Sequence, residues 1–374
     1  MRGIQEDSGL TLQVIATGAH LSPFHGLTIG EIEADGFEVD RKVECLSKSD
    51  SSIAIADATS RALSGCAKAL DELKPDLVLV LGDRFEIFAA STAALLARIP
   101  IAHIHGGETT AGAYDEAFRH SITKMSSTHF VATEEYGKRT IQLGENPDTV
   151  FVVGGLGVDA IKKLKLMTKN EVEKELGFKF DAKSLLVTFH PATLEYQSPR
   201  EQIGELLAAL SERPDTTLIF TMPNADTGGR EIMGEIQDFV GRHSNAYGFH
   251  SLGQQLYLSC MNIVDGVVGN SSSGILEAPT LKVGTLNIGS RQLGRVQAES
   301  VINVAPRKRD IDLALSRLFS PDFKSIVRTC KNPYGDGESS VRILKVLREL
   351  SLDGVISKEF YDVPQEFRYG SHHG

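Results

Sequence analysis

The chain has 374 residues, a formal net charge of -10, 41% apolar and 24% charged residues. This is the composition of a globular protein with enough apolar material for two cores. The acidic balance, the lack of Trp and the modest Tyr and Phe content argue against nucleic acid or an anionic membrane as partners. No apolar run reaches the length needed to span a bilayer. Cys45, Cys66, Cys260 and Cys330 are scattered without paired spacing, and the opening MRGIQEDSGL carries no leader-like apolar stretch. The expectation is a cytoplasmic protein in a reducing compartment, with no disulfide framework.

In chain order, LQVIAT (12–17) reads as a strand, then an Ala-rich helix at 53–73. Further short apolar runs at 77–81, 101–105, 129–132 and 150–153 end at polar or glycine residues, with a helix at 87–97 between two of them. Buried strands alternating with helices predict a parallel sheet covered on both faces. The Lys- and Glu-rich stretch 162–183 contains a helical KNEVEKEL, and a linker is expected around 156–168. A second α/β series follows, with strands at 185–189, 217–221, 263–268 and 283–288. Its helices fall at 201–210, 231–239, 253–259 and 274–278, and closing helices at 307–320 and 339–350. The expected fold class is therefore α/β, with two Rossmann-like domains and a cleft between them. Residues 1–158 would form the first domain, 159–345 the second, and 346–374 a helix and tail returning to the first.

Polar residues cluster after the strands, where open α/β sheets bind ligands. Asp83, in Gly82-Asp83-Arg84, is placed either to act as a base or to cap the next helix beside Glu86. His103-Ile104-His105-Gly106-Gly107-Glu108 closes another strand, and alternation puts His103 and His105 on one face. In the helix that follows, Asp115 and Arg119 lie one turn apart, and Glu116, His120 and Lys124 form a second row. The HxH-GGE spacing is not a closed zinc pattern, and neither a metal nor a nicotinamide cofactor is expected. In the second half, His190 ends a strand and Asn224 to Gly228 forms a polar loop. Gly269-Asn270-Ser271-Ser272-Ser273-Gly274 leads from strand to helix, an arrangement suited to an anion. Glu277 lies just inside that helix, either to accept ribose hydroxyls or as a solvated residue; Arg291 and Arg295 sit in a glycine loop.

Taken together, the ordered motifs GDRFE (82–86), HIHGGE (103–108), DEAFRHSITKMS (115–126), ATEEYGKRTIQLGE (132–145), FHP (189–191), NADTG (224–228), GNSSSG (269–274), GSRQLGR (289–295), NPYGDG (332–337) and FYDVP (360–364) resemble the UDP-N-acetylglucosamine 2-epimerases, and most of all their hydrolysing branch in sialic acid biosynthesis. The resemblance covers nearly the whole chain. It implies the GT-B architecture and conversion of UDP-N-acetylglucosamine and water to UDP and N-acetylmannosamine. The alternative is hydrolysing epimerisation of another UDP-amino sugar, such as a 2,4-diacetamido-2,4,6-trideoxy hexose, or an inactive nucleotide-binding form. The implied reaction is anti elimination to a 2-acetamidoglycal, then addition of water. It implies Asp83 and Asp115 as the two proton-transfer groups, with Glu108 as an additional candidate and His105 as a proton shuttle. Arg119 would hold Asp115 ionised and His120 would orient the acetamido group or water. It places the UDP on His190, Ser271, Ser272, Gly274, Glu277 and Arg291, and implies a homodimer or tetramer. Two departures stand out. The family's first strand and its GTR- or GSR-type loop have no counterpart before residue 12, so the first sheet should lack an element. His105 stands where other branches carry glutamate.

Overall fold

A computed structural model describes residues 1–23, 27–47, 51–109, 115–191, 198–223 and 229–364. The chain divides into two compact units. The first comprises Met1–Glu108, Ala113–Val153 and Glu338–Gly374; the second comprises Thr109–Gly112 and Gly154–Gly337.

The first unit runs α1 (Arg2–Gln5), β1 (Ile15–Thr17), α2 (Ile29–Ala34), β2 (Arg41–Val43), α3 (Ser52–Leu73), β3 (Val78–Leu81), α4 (Phe85–Leu96), β4 (Ile101–Ile104), α5 (Asp115–Met125), β5 (Thr128–Val131), α6 (Glu134–Gln142) and β6 (Val150–Val152). Its strands fall into two parallel sheets, a pair β1-β2 and a four-stranded sheet β3-β4-β5-β6. Among the described residues no strand pairs β1 or β2 with β3. One apolar core nonetheless joins the two sheets: Ile15 and Val43 pack with Cys66, Leu70, Val80, Ala93 and Ile101. The predicted strand at 12–17 shortens because the Val14 N–H goes to the Asp40 carboxylate at 2.6 Å rather than to a ladder. β2 escaped prediction because Arg41 and Lys42 are exposed and Val43 alone turns inward. Helix α3 starts where Ser51 Oγ accepts the Ala54 N–H and stops at Lys74, whose left-handed φ of 46° cannot continue it.

The second unit runs α7 (Leu156–Lys163), α8 (Lys169–Leu176), β7 (Lys183–Thr188), α9 (Pro199–Leu210), β8 (Thr216–Thr221), α10 (Gly229–Arg242), β9 (Ala246–Phe249), α11 (Gly253–Ile263), β10 (Gly266–Gly269), α12 (Ser273–Leu276), β11 (Gly284–Ile288), β12 (Val301–Val304), α13 (Lys308–Leu318) and α14 (Pro321–Thr329). Its single six-stranded parallel sheet has the order β12-β11-β10-β7-β8-β9. Leu185, Val187, Phe220, Val268 and Leu286 are fully buried, as expected for strands covered on both faces. Capping boxes at Thr168/Glu171 and Ser198/Glu201 start α8 and α9. The stretch expected as a linker holds helix α7, whose acidic Asp159 lies in the first turn and Lys162 and Lys163 in the last. The run 263–268 expected as one strand is shared: Ile263 ends α11, and β10 starts at Gly266. β9 was not predicted because Gly248 interrupts its apolar run.

The chain then returns to the first unit as α15 (Ser339–Glu349). There Arg348 pairs with Asp7, and Arg342 donates to the Val153 carbonyl at 3.0 Å. Among the described residues no helix is long and apolar enough to cross a membrane.

Candidate active site

In the first unit three segments meet at the ends of β3 and β4. After β3 the chain turns at Gly82, with φ 84°, and presents Asp83. β4 ends at His105, whose φ of 65° is in the left-handed region that side chains rarely adopt. His105 therefore leaves the alternation that would have paired it with His103. Its backbone N–H is held by the Phe130 carbonyl at 2.9 Å. Strained positions of this kind concentrate at functional sites. Gly107 follows with φ 73°, and a Cβ there would lie 2.3 Å from the Tyr136 carbonyl, so only glycine fits. The turn is braced by Arg139, which donates to the Gly107 carbonyl at 2.5 Å. The third segment is α5.

Arg119, buried on α5, ties these segments together. One guanidinium nitrogen donates to the His105 carbonyl at 2.6 Å and another pairs with Asp83. The expected Asp115–Arg119 pair is thereby corrected: the guanidinium spends its hydrogen bonds on Asp83 and the β4 turn. Asp115 instead has its carboxyl pushed up, first by burial and then by the nearby negative charge of Asp83. His105 Nδ1 and Glu108 Oε1 are 2.5 Å apart, and Glu108 is buried. Asp83, His105, Glu108, Asp115 and Arg119 thus form one cluster. His120 is aimed along its own helix, with Nε2 3.2 Å from Glu116 Oε1, and its buried Nδ1 has no partner among the described residues. Lys124 leaves the row altogether and binds Glu145 at 2.5 Å.

Sequence reasoning missed two supports. His103 was read as a partner of His105 on one face. It lies fully buried, with Nε2 2.9 Å from the Gly82 carbonyl and Nδ1 3.2 Å from Thr123 Oγ1. Glu145, also buried, gathers Lys124, His129 and Lys358. Only its place in a glycine turn, without any charged neighbour in sequence, was visible beforehand.

In the second unit the strand ends carry mostly hydroxyls and amides. Gly269, with φ 132°, brings the backbone so close to β7 that a Cβ would sit 1.9 Å from the Thr188 carbonyl. Asn270 then locks the neighbouring strand end, accepting the His190 N–H at 2.7 Å and donating to the His190 carbonyl at 2.8 Å. Its own carbonyl accepts from Arg291 at 3.0 Å and Gln292 at 2.8 Å. Burial, and then the Arg291 charge, bring the His190 pKa down to about 4, so its imidazole is neutral at pH 7. Ser271 Oγ lies 3.0 Å from Ser273 Oγ, which lies 2.6 Å from the Tyr257 hydroxyl. Ser272 caps α12 by position but makes no side-chain capping bond, and Gly274 packs its backbone against Thr285. Thr188, Thr221, His250, Tyr257 and Ser271 line a cavity of about 360 Å³ at this edge. Glu277 is half-buried, its Oε2 is buried without a partner among the described residues, and desolvation pushes its pKa up to about 7. The NADTG loop (224–228) lies outside the described residues.

A phosphate-suited loop after one parallel sheet and a paired-carboxylate cluster after another define a nucleotide-sugar enzyme of the two-unit α/β, GT-B class. The chain belongs to the UDP-N-acetylglucosamine 2-epimerase family, whose model matches residues 2–348. It is 42% identical over 362 residues to the GDP/UDP-N,N'-diacetylbacillosamine 2-epimerase (hydrolyzing) of Campylobacter jejuni, covering 96% of this chain and 94% of that protein. It is 38% identical to the polysialic acid biosynthesis protein P7 of Escherichia coli, covering 97% and 93%. The UDP-N,N'-diacetylbacillosamine 2-epimerase (hydrolyzing) of Legionella pneumophila is 34% identical, covering 95% and 93%. Among solved structures, the Neisseria meningitidis UDP-GlcNAc 2-epimerase bound to UDP-GlcNAc superposes with a TM-score of 0.81 at 23% identity, covering 93% of this chain and 95% of that one.

Proposed function

We propose that this protein is a hydrolysing 2-epimerase of a nucleotide-linked 2,4-diacetamido-2,4,6-trideoxy-glucose, the sugar also called N,N'-diacetylbacillosamine. The expectation of UDP-N-acetylglucosamine as substrate gives way because two hydrolysing relatives above 30% identity carry the diacetamido sugar in their names. UDP-N-acetylglucosamine remains the second reading, favoured by the description of the family whose model the chain matches.

The observation that carries the chemistry is the pair of unlike carboxyls, Asp83 paired with Arg119 and Asp115 pushed toward its protonated form. A carboxylate held by a guanidinium beside a carboxyl that burial pushes toward its protonated form suits one group that takes a proton and one that gives it. In the first step a base removes the hydrogen at C2 while the C1–O bond breaks, and the nucleoside diphosphate carries away the electron pair. This leaves a 2-acetamidoglycal. In the second step water adds its oxygen at C1 and a proton arrives on the opposite face of C2. The sum consumes one water and releases the nucleotide and the C2-inverted sugar. Glu108, beside His105, is placed to exchange protons with water through the imidazole. The assignment of the nucleotide to the second unit rests on its hydroxyl-lined strand ends. Ser271, Ser272, Gly274, neutral His190 and Arg291 would meet the phosphates. Glu277, whose buried Oε2 has no partner among the described residues, would accept ribose hydroxyls.

The test is product analysis by NMR with UDP- and GDP-linked diacetamido sugar and UDP-N-acetylglucosamine. Release of nucleotide and the C2-inverted diacetamido sugar, at a kcat/KM at least about tenfold above that for the N-acetylglucosamine substrate, is expected. Preference for the latter would transfer the assignment to the second reading. Turnover of none of the three would remove the assignment.

A further inference from the structure

We propose that His103 is a positioning residue that sets the aim of Asp83 through the hydrogen bond that its Nε2–H donates to the Gly82 carbonyl. The proposal rests on the proton-transfer role given above to the Asp83 cluster.

His103 sits in the middle of the four-stranded sheet, opposite Val80 of β3 and His129 of β5. It is fully buried. Nε2 is 2.9 Å from the Gly82 carbonyl, which can only accept, so this nitrogen carries the proton. Burial pulls the pKa down to about 3, so Nδ1 is bare and the ring is neutral throughout the working range. Nδ1 is 3.2 Å from Thr123 Oγ1, and the same hydroxyl is 3.1 Å from the Arg119 carbonyl, one turn back on α5. The imidazole therefore holds the peptide that leads into Asp83, while its bare Nδ1 and the Arg119 carbonyl share the single hydrogen of the Thr123 hydroxyl.

The geometry around it is tight. Gly82 has φ 84°, a conformation that glycine adopts freely, so the path into Asp83 is set by the hydrogen bonds of this peptide rather than by steric limits. A Cβ at Gly106 would lie 3.1 Å from both His103 Nδ1 and Thr123 Oγ1. The ring fills its slot, and the β4 turn that ends in Glu108 closes over it. An apolar residue of similar size would fill the slot but take the donor from the half-buried Gly82 carbonyl, and the turn before Asp83 would relax. A residue that positions a reacting group by a fraction of an ångström changes the chemical step more than ground-state binding.

The experiment compares His103→Phe with His103→Gln, whose Nε2 can reach the same carbonyl. Kinetics on the best of the three nucleotide sugars are measured with nucleotide affinity by calorimetry, and carboxyl titrations of Asp83 and Asp115 are followed by 13C NMR. For His103→Phe the expected result is a loss of about 10²-fold in kcat, with nucleotide Kd unchanged within about twofold. The Asp115 titration should shift, and His103→Gln should restore kcat to within about fivefold and return the titration toward wild type. Equal kinetic loss in both variants, or carboxyl titrations unmoved in His103→Phe, would show a residue that only fills space and would overturn the proposal. If the wild type turns over none of the sugars, the functional assignment fails. The carboxyl titrations then still decide for or against His103.

Discussion

The two units present their strand ends to different chemistry. In the first, two charged pairs are already made, Asp83 with Arg119 and His105 with Glu108. In the second, backbone groups are locked by Asn270, hydroxyls bond to one another, and one half-buried carboxylate, Glu277, has a buried oxygen without a partner among the described residues. A buried charge costs much unless paired. The first site meets that cost internally for those two pairs, so they are held ready before any ligand arrives. The second leaves it unmet until hydroxyl donors come. The contrast separates proton transfer, which needs fixed groups, from recognition, which gains from uncommitted ones.

The largest effect should come from the carboxyls that the contrast places in the reacting unit. Asp83→Asn and Asp115→Asn should each lower kcat by roughly 10²-fold or more while leaving nucleotide affinity within about twofold. Steady-state kinetics with calorimetry checks this, and equal losses in affinity would erase the division between the units. Arg119→Ala should come next, because it leaves Asp83 without its guanidinium and the His105 carbonyl without its donor. Breaking a buried pair of this kind costs on the order of 3 kcal/mol, read from urea denaturation, and kcat should fall in parallel.

Glu277 gives a prediction with a sign. Its carboxyl is raised from 4.5 to about 7 in the folded chain. Between those values the folded state holds a proton that the unfolded state has lost, so stability falls as pH rises through this window. The full effect is on the order of 3 kcal/mol above it. Glu277→Gln should flatten that slope. At pH 6, nucleotide binding should release up to about one proton from the wild type and none from the variant, because ribose hydroxyls would favour the ionised form. Calorimetry in buffers of different ionisation enthalpy measures it. The smallest effect is expected from Ser271→Ala, which removes one neutral hydrogen-bonding group and should weaken nucleotide binding by about fivefold.

Strands were legible in both units: β1 and β3 to β6 in the first, and β7, β8, β10 and β11 in the second, whose serine loop follows β10 directly. β9 and β12 of the second unit were not expected. The first unit hid the partners of its polar residues. β2 shows one inward side chain, and the β1-β2 pair lies in a separate sheet. The site residues Asp83, His105, Glu108 and Asp115 were visible as polar residues at strand and helix ends. Their partners were not. Helical spacing suggested Asp115 for Arg119, but Asp83, 36 residues away, takes it. Strand alternation placed His103 beside His105, but the left-handed backbone at His105 separates their roles. Local periodicity reports which face a residue occupies. It does not report a long-range partner or a strained φ.

The most direct measurement is turnover of the nucleotide-linked diacetamido sugar in D2O, followed by NMR and mass analysis of the released sugar. The account predicts one deuterium at C2 of the inverted sugar, equimolar nucleotide, and loss of product formation in Asp83→Asn and Asp115→Asn. Inverted product that keeps the original C2 hydrogen, or retained turnover in both variants, would contradict it.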